Sequence, residues 1–152
     1  VALCKNTDVT AFQNAHKLFE AMGEITQSIG YVAFEFAYCK FKLYQKTAKT
    51  SALKTSLVPY LKGADEYVNK ALQLTPKEYK VHLANQYRLL GYIHSQLAQI
   101  DKSTRERAKD HLMKARELNP EIRINTVIIL PDLRSLFRLQ GTVQNPNEDS
   151  QE

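Results

Sequence analysis

Apolar residues recur at alternating intervals of four and three along the N-terminal third of the chain. The residues of this pattern are Ala11, Ala15, Leu18, Met22, Ile25, Ile29, Val32, Phe36, Cys39 and Leu43. This is the spacing of helices that lie in lengthwise contact. We therefore predict an N-terminal heptad face that packs on a neighbouring helix or, in a homo-oligomer, on a second copy of the chain.

A single helix over this whole region would be about 55 Å long at 1.5 Å per residue, which is unusual for a chain of this size. Gly23 and Gly30 offer places to bend or break it. We predict a break or strong kink near Gly30, which gives one helix over about residues 9–28 and another over about residues 31–48. Aromatic side chains fall on every side of the second helix: Tyr31, Phe34, Phe36, Tyr38, Phe41 and Tyr44. A helix that is apolar all round has neighbours on several faces.

A short stretch occurs twice in related form, as KALQLTP at residues 70–76 and as KARELNP at residues 114–120. The likeness extends upstream at one constant offset, and the matched pairs are Ala64/Ala108, Val68/Leu112, Ala71/Ala115 and Leu74/Leu118. These spacings place each set on one face of a helix, with the small alanines where a neighbouring helix comes close. Both segments are therefore predicted to be helices that pack alike.

Capping signals predict where the later helices begin. Thr75 with Glu78 reads as a T-x-x-E capping box before a helix that starts at Pro76, and Ser103 with Glu106 reads as a second box. These capping signals and the apolar periodicity together set the predicted helix boundaries. The predicted helices cover about residues 56–74, 76–100, 103–118 and 131–140.

The run INTVIILP, residues 124–131, is apolar and β-branched, so it could be a strand or an irregular hydrophobic plug. The sequence contains no second strand to pair with it. We predict an extended connector inside a capping segment, residues 121–140, that covers the open end of a helical stack. Residues 141–152 carry three acids and no base, which predicts a disordered acidic tail.

This arrangement resembles the tetratricopeptide repeat family. The family pattern of Leu-Gly, alanine, a large apolar residue, alanine and a closing proline is matched by Leu90, Gly91, Ala108, Leu112, Ala115 and Pro120. The preceding unit matches the second half of the pattern, with Ala64, Val68, Ala71 and Pro76. The period is about ten residues longer than the family's thirty-four, and the excess divides evenly between the two helices of the hairpin.

The resemblance implies an all-α fold of antiparallel helical hairpins, a TPR-like short solenoid or bundle with a C-terminal capping helix. The repeats would cover about residues 31–120 within a single domain over residues 1–140. It also implies non-catalytic protein–protein interaction, as a scaffold whose groove holds a peptide or a partner helix. The implied groove positions are Asn85, Arg88, Tyr92, Ser95 and Gln96, and one repeat earlier Lys40, Phe41, Lys42 and Tyr44.

A small-molecule carrier is the alternative function, similar to some extracytoplasmic repeat proteins that serve transporters. Its pocket would lie between helices around Tyr87, His94 and the aromatics of residues 31–44. His94 also fits a core histidine that is satisfied by a neighbour. An apolar cavity would favour the carrier, and an open polar groove would favour the interaction module.

Composition narrows the classes of protein. The chain has 152 residues, of which 43% are hydrophobic and 24% charged, with five glycines and five prolines, which is typical of a helical protein. No apolar run is long enough to span a membrane, so the chain is expected to be soluble. Val1 indicates a processed or excised N-terminus and leaves the compartment open. Cys39 is predicted to be a buried thiol, with a Cys4–Cys39 disulfide as the alternative.

The net charge of +5 is unevenly distributed. No acid occurs between Glu35 and Asp65, where six lysines fall. This favours an acidic protein or peptide partner, and a solvated lysine face is the alternative. The interleaved aromatics of this region also fit nucleic-acid binding, but their helical spacing favours the core, so nucleic acid is not the predicted partner.

The sequence lacks the glycine-rich phosphate loops, the G-x-S-x-G elbow and the H-E-x-x-H zinc motif. His16 with Glu20, and Glu78 with His82, share a helical face at a spacing that could ligate a metal. A carboxylate-bridged dimetal bundle would need E-x-x-H twice with further glutamates, and this pattern does not occur. We therefore predict no enzymatic activity, no cofactor and no metal site.

Overall fold

In a computed structural model, the described residues are 9–48 and 54–138, and they contain seven α-helices and no strand. The helices are α1 (Val9–Met22), α2 (Ile25–Ser28), α3 (Gly30–Ala48), α4 (Val58–Leu74), α5 (Lys80–Leu97), α6 (Arg105–Leu118) and α7 (Arg134–Phe137). Short 3-10 turns cover Lys54–Leu57, Lys102–Thr104, Thr126–Ile128 and Pro131–Leu133. The predicted all-α fold class is confirmed.

The contacts divide the chain into two compact units, residues 1–76 and residues 77–152. The sequence, by contrast, predicts one domain over residues 1–140. Helices α1 to α4 belong to the first unit, and helices α5 to α7 belong to the second.

Helix α3 is the central helix of the first unit, because α1, α2 and α4 all pack against it. This explains why aromatic residues occur on all its sides. Phe36, Tyr38, Phe41 and Tyr44 are buried, while Tyr31, in its first turn, is exposed. The pattern of an all-round apolar helix therefore correctly predicted neighbours on several faces.

The N-terminal region is interrupted at two points. Gly23 has φ +62°, a left-handed conformation that glycine adopts without a Cβ penalty, and α1 ends directly before it. Ile29 is extended, with φ −121° and ψ 116°, and α3 begins at Gly30. The predicted break at Gly30 is confirmed, whereas the prediction of one continuous helix over residues 9–28 is wrong.

The core-facing side of α1 differs from the predicted heptad face. Phe12, Ala15 and Phe19 are buried, because the two phenyl rings remove more apolar surface from water than the neighbouring aliphatic side chains would. Four members of the predicted stripe are left in solvent. Leu18 is 53% exposed, Met22 38%, Ile25 48% and Ile29 51%.

The repeated helices α4 and α6 bury equivalent positions at three of the four matched pairs, whereas Leu74 of the fourth pair is 43% exposed. In α4 the buried residues of the repeat are Ala64, Val68 and Ala71, and in α6 they are Ala108, Leu112 and Ala115. Helix α4 packs against α3, and α6 packs against α5. Each repeated segment is thus the second helix of a helical hairpin in its own unit.

Both predicted capping boxes are wrong. The Thr75 hydroxyl donates to the carbonyl oxygen of Ala71 at 2.7 Å, so it belongs to the end of α4, and α5 begins only at Lys80. Before α6, the Asp101 carboxylate accepts from the backbone N–H of Ser103 at 3.0 Å and from its hydroxyl at 2.7 Å. Aspartate is among the best residues for such a cap.

Cys39 is a free, buried thiol whose Sγ donates to the carbonyl oxygen of Phe12 at 3.3 Å. Its predicted burial is confirmed. Cys4, the other half of the alternative disulfide, lies outside the described residues, as does the predicted acidic tail over residues 141–152. The last predicted helix, residues 131–140, is shorter than expected, since α7 ends at Phe137.

Candidate functional site

Three side chains of α5, on successive turns of one face, hydrogen-bond the backbone of the connector that follows α6. These bonds join Arg88 Nη1 to the carbonyl oxygen of Arg123 at 2.7 Å, the amide nitrogen of Asn125 to Tyr92 Oη at 2.9 Å, and Gln96 Nε2 to the carbonyl oxygen of Ile128 at 2.9 Å. In each bond a side chain satisfies a main-chain group. A segment without a strand partner needs such bonds where it is buried.

The apolar side chains of the connector complete the attachment. Ile122, Ile124 and Ile129 are buried, and so are Leu133 and Phe137 in the turn and helix that follow. Within the run predicted to be an extended connector, residues 124–131, Asn125 and Ile129 are extended but Thr126–Ile128 form a 3-10 turn, so the prediction holds only in part. The connector therefore belongs to the core of the second unit.

The five groove positions on α5 implied by the repeat resemblance are largely used by this attachment. Arg88, Tyr92 and Gln96 hold the connector, Asn85 accepts a hydrogen bond from Arg88 Nη2 at 3.3 Å, and Ser95 is buried. The α5 face that the resemblance assigns to a partner thus holds a segment of the same chain.

The four positions implied for the earlier repeat lie on α3, in the first unit. Phe41 and Tyr44 are buried in the core. Lys42 is buried too, with Nζ 5.4 Å from the centroid of the Tyr38 ring. Lys40 lines a cavity.

Tyr87 and His94, the centre of the predicted carrier pocket, lie in the second unit beside His111 of α6. The ring centroids of Tyr87 and His111 are 5.9 Å apart, and those of His94 and His111 are 4.9 Å apart. His94 is buried. The aromatics of residues 31–44, which the carrier hypothesis placed in the same pocket, belong to the first unit.

A cavity of about 410 Å³ opens in the first unit, beside the break between α1 and α2. Three aromatic rings form its apolar walls. The ring centroids of Phe19 and Phe36 are 5.2 Å apart, and those of Phe36 and Tyr67 are 4.5 Å apart. Glu20, Glu24 and Lys40 supply its charged groups.

The Lys40 ammonium is held over the aromatic walls. Its Nζ lies 4.3 Å from the ring centroid of Phe36 and 5.7 Å from that of Tyr67, a cation–π arrangement. Burial lowers the pKa of Lys40, and the negative charges of Glu20 and Glu66 offset part of this effect. The cavity thus contains an amine that is neutral more often than that of an exposed lysine.

Gly63 on α4 makes room for this lysine. A Cβ at that position would lie 3.1 Å from Lys40 Cδ and 3.5 Å from Nζ. Glycine inside a helix costs about 1 kcal/mol relative to alanine. The close approach of the lysine stem to the α4 backbone is the local reason for a glycine here.

His16 connects Lys40 to a carboxylate. Its Nε2 lies 3.0 Å from Lys40 Nζ, and its Nδ1 lies 3.1 Å from Glu20 Oε1. Burial and the neighbouring Lys40 charge lower the pKa of His16, against a raising effect of Glu20. Neutral imidazole is therefore the favoured form, and it can accept a hydrogen bond from Lys40.

The sequence indicates these residues by separate signals. His16 and Glu20 share one helical face, and the repeat resemblance places Lys40 in a groove. What joins them is the packing of α1 against α3, which turns His16 toward Lys40. The side-chain pattern alone does not contain that information.

Among the described residues, no group of three histidine, cysteine or acidic side chains is placed to hold a metal ion. Nor is any helix in that part of the chain both long and apolar enough to cross a bilayer. No family model matches the chain, and no curated protein or solved structure is similar enough to count as a match. The tetratricopeptide repeat resemblance therefore stays a prediction.

Proposed function

We propose that this protein is a non-catalytic interaction module, and that it self-associates through Leu18, Met22, Ile25 and Ile29, which we name the apolar face. The single observation that carries the proposal is the exposure of these four large side chains, between 38% and 53% each. Exposed apolar residues that occur singly need no explanation, whereas a group of them within one short segment fits an interaction site.

A second copy of the same surface is the occupant that we propose for the apolar face. Leu18 and Met22 belong to α1, Ile25 belongs to α2 and Ile29 is extended, so the face spans the break at Gly23 and is not one helical stripe. In a two-fold dimer each copy offers the other the same surface.

The size of the apolar face predicts a weak dimer. Full burial of such a side chain contributes about 1.5–3 kcal/mol, so burying the exposed half of four contributes about 3–6 kcal/mol per copy. Association costs about 4–15 kcal/mol. Burial in both copies contributes about 6–12 kcal/mol, so the net gain is at most about 8 kcal/mol and the dissociation constant is micromolar or weaker.

Sedimentation equilibrium over about 10–500 µM protein tests this range. The wild-type chain should shift from monomer to dimer, and Ile25→Glu should remain monomeric. Gln13→Glu is the matched control, since Gln13 is exposed on α1 outside the apolar face and receives the same charge. A wild-type chain that stays monomeric throughout, or an Ile25→Glu variant that dimerises as well as the control, would refute self-association through this face.

A second candidate function, the small-molecule carrier, is favoured by the cavity of the first unit. Its volume of about 410 Å³ lies within the usual range for ligand pockets, about 300–1,000 Å³. Its aromatic walls and its three charged residues fit a small ligand that has an apolar group and a polar group. Native mass spectrometry of the purified chain that retains such a ligand supports the carrier, and a thermal-shift screen without any stabilising compound contradicts it.

A further inference from the structure

The contacts of Lys40 provide more than a non-covalent binding site would need. We propose that the cavity of the first unit takes a small neutral carbonyl compound, an aldehyde or ketone on a flat apolar group, and that Lys40 holds it as an imine. This inference rests on the carrier function, and it adds a ligand class and a covalent bond.

Lys40, His16 and Glu20 have the arrangement of a nucleophile, a base and a group that orients the base. An ionised carboxylate only accepts hydrogen bonds, so His16 Nδ1 carries the hydrogen in its contact with Glu20 at 3.1 Å. The lone pair of the neutral ring is then on Nε2. That atom lies 3.0 Å from Lys40 Nζ, within reach of a proton on the amine.

Burial raises the fraction of Lys40 that is uncharged, which is the nucleophilic form, whereas the cation–π contacts with Phe36 and Tyr67 favour the ammonium. The two rings cover part of the amine, and within the described residues no carboxylate lies close enough to form an ion pair with it. Burial is the largest cause of its lowered pKa. Desolvation in an apolar pocket is one of the known ways in which proteins activate a lysine.

The reaction forms and breaks one set of bonds. The Lys40 nitrogen attacks the carbonyl carbon, a C–N bond forms, and the carbonyl π electrons move to oxygen. A proton from the nitrogen passes to His16 Nε2 and from there to the alkoxide oxygen, which gives the neutral carbinolamine. The imidazole then carries the second nitrogen proton to the hydroxyl group, the C–O bond breaks and water leaves. Amine and carbonyl compound thus give imine and water, with no change of oxidation state.

The charges at the cavity select among carbonyl compounds. Glu20 and Glu24 line it, and both would repel an anionic group. A ring that stacks on Phe19, Phe36 or Tyr67 gains apolar contact. A neutral aromatic aldehyde therefore fits better than a carboxylated one, and benzaldehyde is a suitable probe.

The test incubates the full chain with benzaldehyde and sodium cyanoborohydride near neutral pH and maps the trapped lysines by peptide mass spectrometry. Lys40 should be modified at least about tenfold faster than the exposed Lys17 and Lys62, a modest factor beside the 100-fold or more that a general base contributes. In His16→Gln the rate at Lys40 should fall about tenfold while the rates at Lys17 and Lys62 stay unchanged. 4-Formylbenzoate should label Lys40 more slowly than benzaldehyde does.

Equal labelling of Lys40 and the exposed lysines in the wild-type chain overturns the imine proposal, and this result depends on no variant. Benzyl alcohol, which cannot form an imine, separates the two proposals in a thermal-shift measurement. If it stabilises the chain while labelling is unselective, the imine proposal alone fails. If it has no effect and labelling is unselective, the carrier proposal fails as well.

Discussion

Gly91 lies inside α5 where α6 packs against it, and Gly91→Ala tests how closely the two helices approach. A Cβ at this position would lie 2.4 Å from both Cγ and Cδ2 of Leu112, and 3.4 Å from the carbonyl oxygen of Ala108. Leu112 is fully buried, so its side chain has no open space to enter. The helices would have to move apart.

Two opposing effects decide the magnitude. Replacing a helix-interior glycine by alanine would by itself stabilise the chain by about 1 kcal/mol. Overpacking of a well-filled core costs about 1–3 kcal/mol, and contacts as short as these place Gly91→Ala toward the upper end. We expect a net loss of about 1–2 kcal/mol in the free energy of unfolding, measured by urea denaturation with circular dichroism.

A double-mutant cycle with Leu112→Ala identifies the cause. Leu112→Ala alone should cost about 2–5 kcal/mol, because it leaves a cavity. In that background the added methyl group enters empty space, so Gly91→Ala should be neutral or stabilising there. A Gly91→Ala chain as stable as the wild type, or a double mutant whose losses simply add, would refute the close packing at this crossing.

Arg88→Met removes the charged donor that bonds the connector, and it should lower the free energy of unfolding by about 1.5–3 kcal/mol. The control Arg107→Met, at an exposed position of α6, should change it by no more than about 0.5 kcal/mol. Equal losses for the two variants in chemical denaturation would contradict the anchoring role of Arg88. The pKa of His16 in the folded chain lies below its ordinary value of 6.5, so the unfolded chain binds the proton more readily. The contribution of neutral His16 to stability is therefore complete above pH 6.5 and is lost as the pH falls through the folded-state pKa. The melting temperature should therefore drop more between pH 7.5 and pH 5.5 in the wild type than in His16→Gln, and parallel curves would show that His16 does not titrate in this way.

The sequence predicted the local features best. The repeated segments indicated two hairpins and named the buried positions of α4 and α6, since that pattern depends only on the helical period. Capping was less predictable, because the Thr75 hydroxyl donates to the carbonyl oxygen of Ala71 instead of accepting from a backbone N–H of the next helix. Hydroxyl side chains often make such local backbone hydrogen bonds. The apolar spacing of α1 does not show which side of the helix faces the core. The larger apolar surface area of Phe12 and Phe19 explains why their side is buried.

Features that depend on tertiary packing were beyond the sequence. The connector can be recognised in the sequence as an apolar run, but its sequence does not indicate that it lies on α5. Arg88, Tyr92 and Gln96 looked like partner-binding residues because they are polar and share a face, and that same property suits them to hold a backbone. The contact of His16 with Lys40 likewise depends on how α1 packs on α3.

The connector run INTVIIL has the composition of a cross-β aggregation segment, being β-branched and without charge or proline. Such a stretch forms fibrils when its backbone N–H and C=O groups are open to another chain. In this protein, Tyr92 and Gln96 bond that backbone at Asn125 and Ile128, and its isoleucines at 124 and 129 are buried. Helix α5 thus occupies backbone groups of this run that a cross-β partner would need.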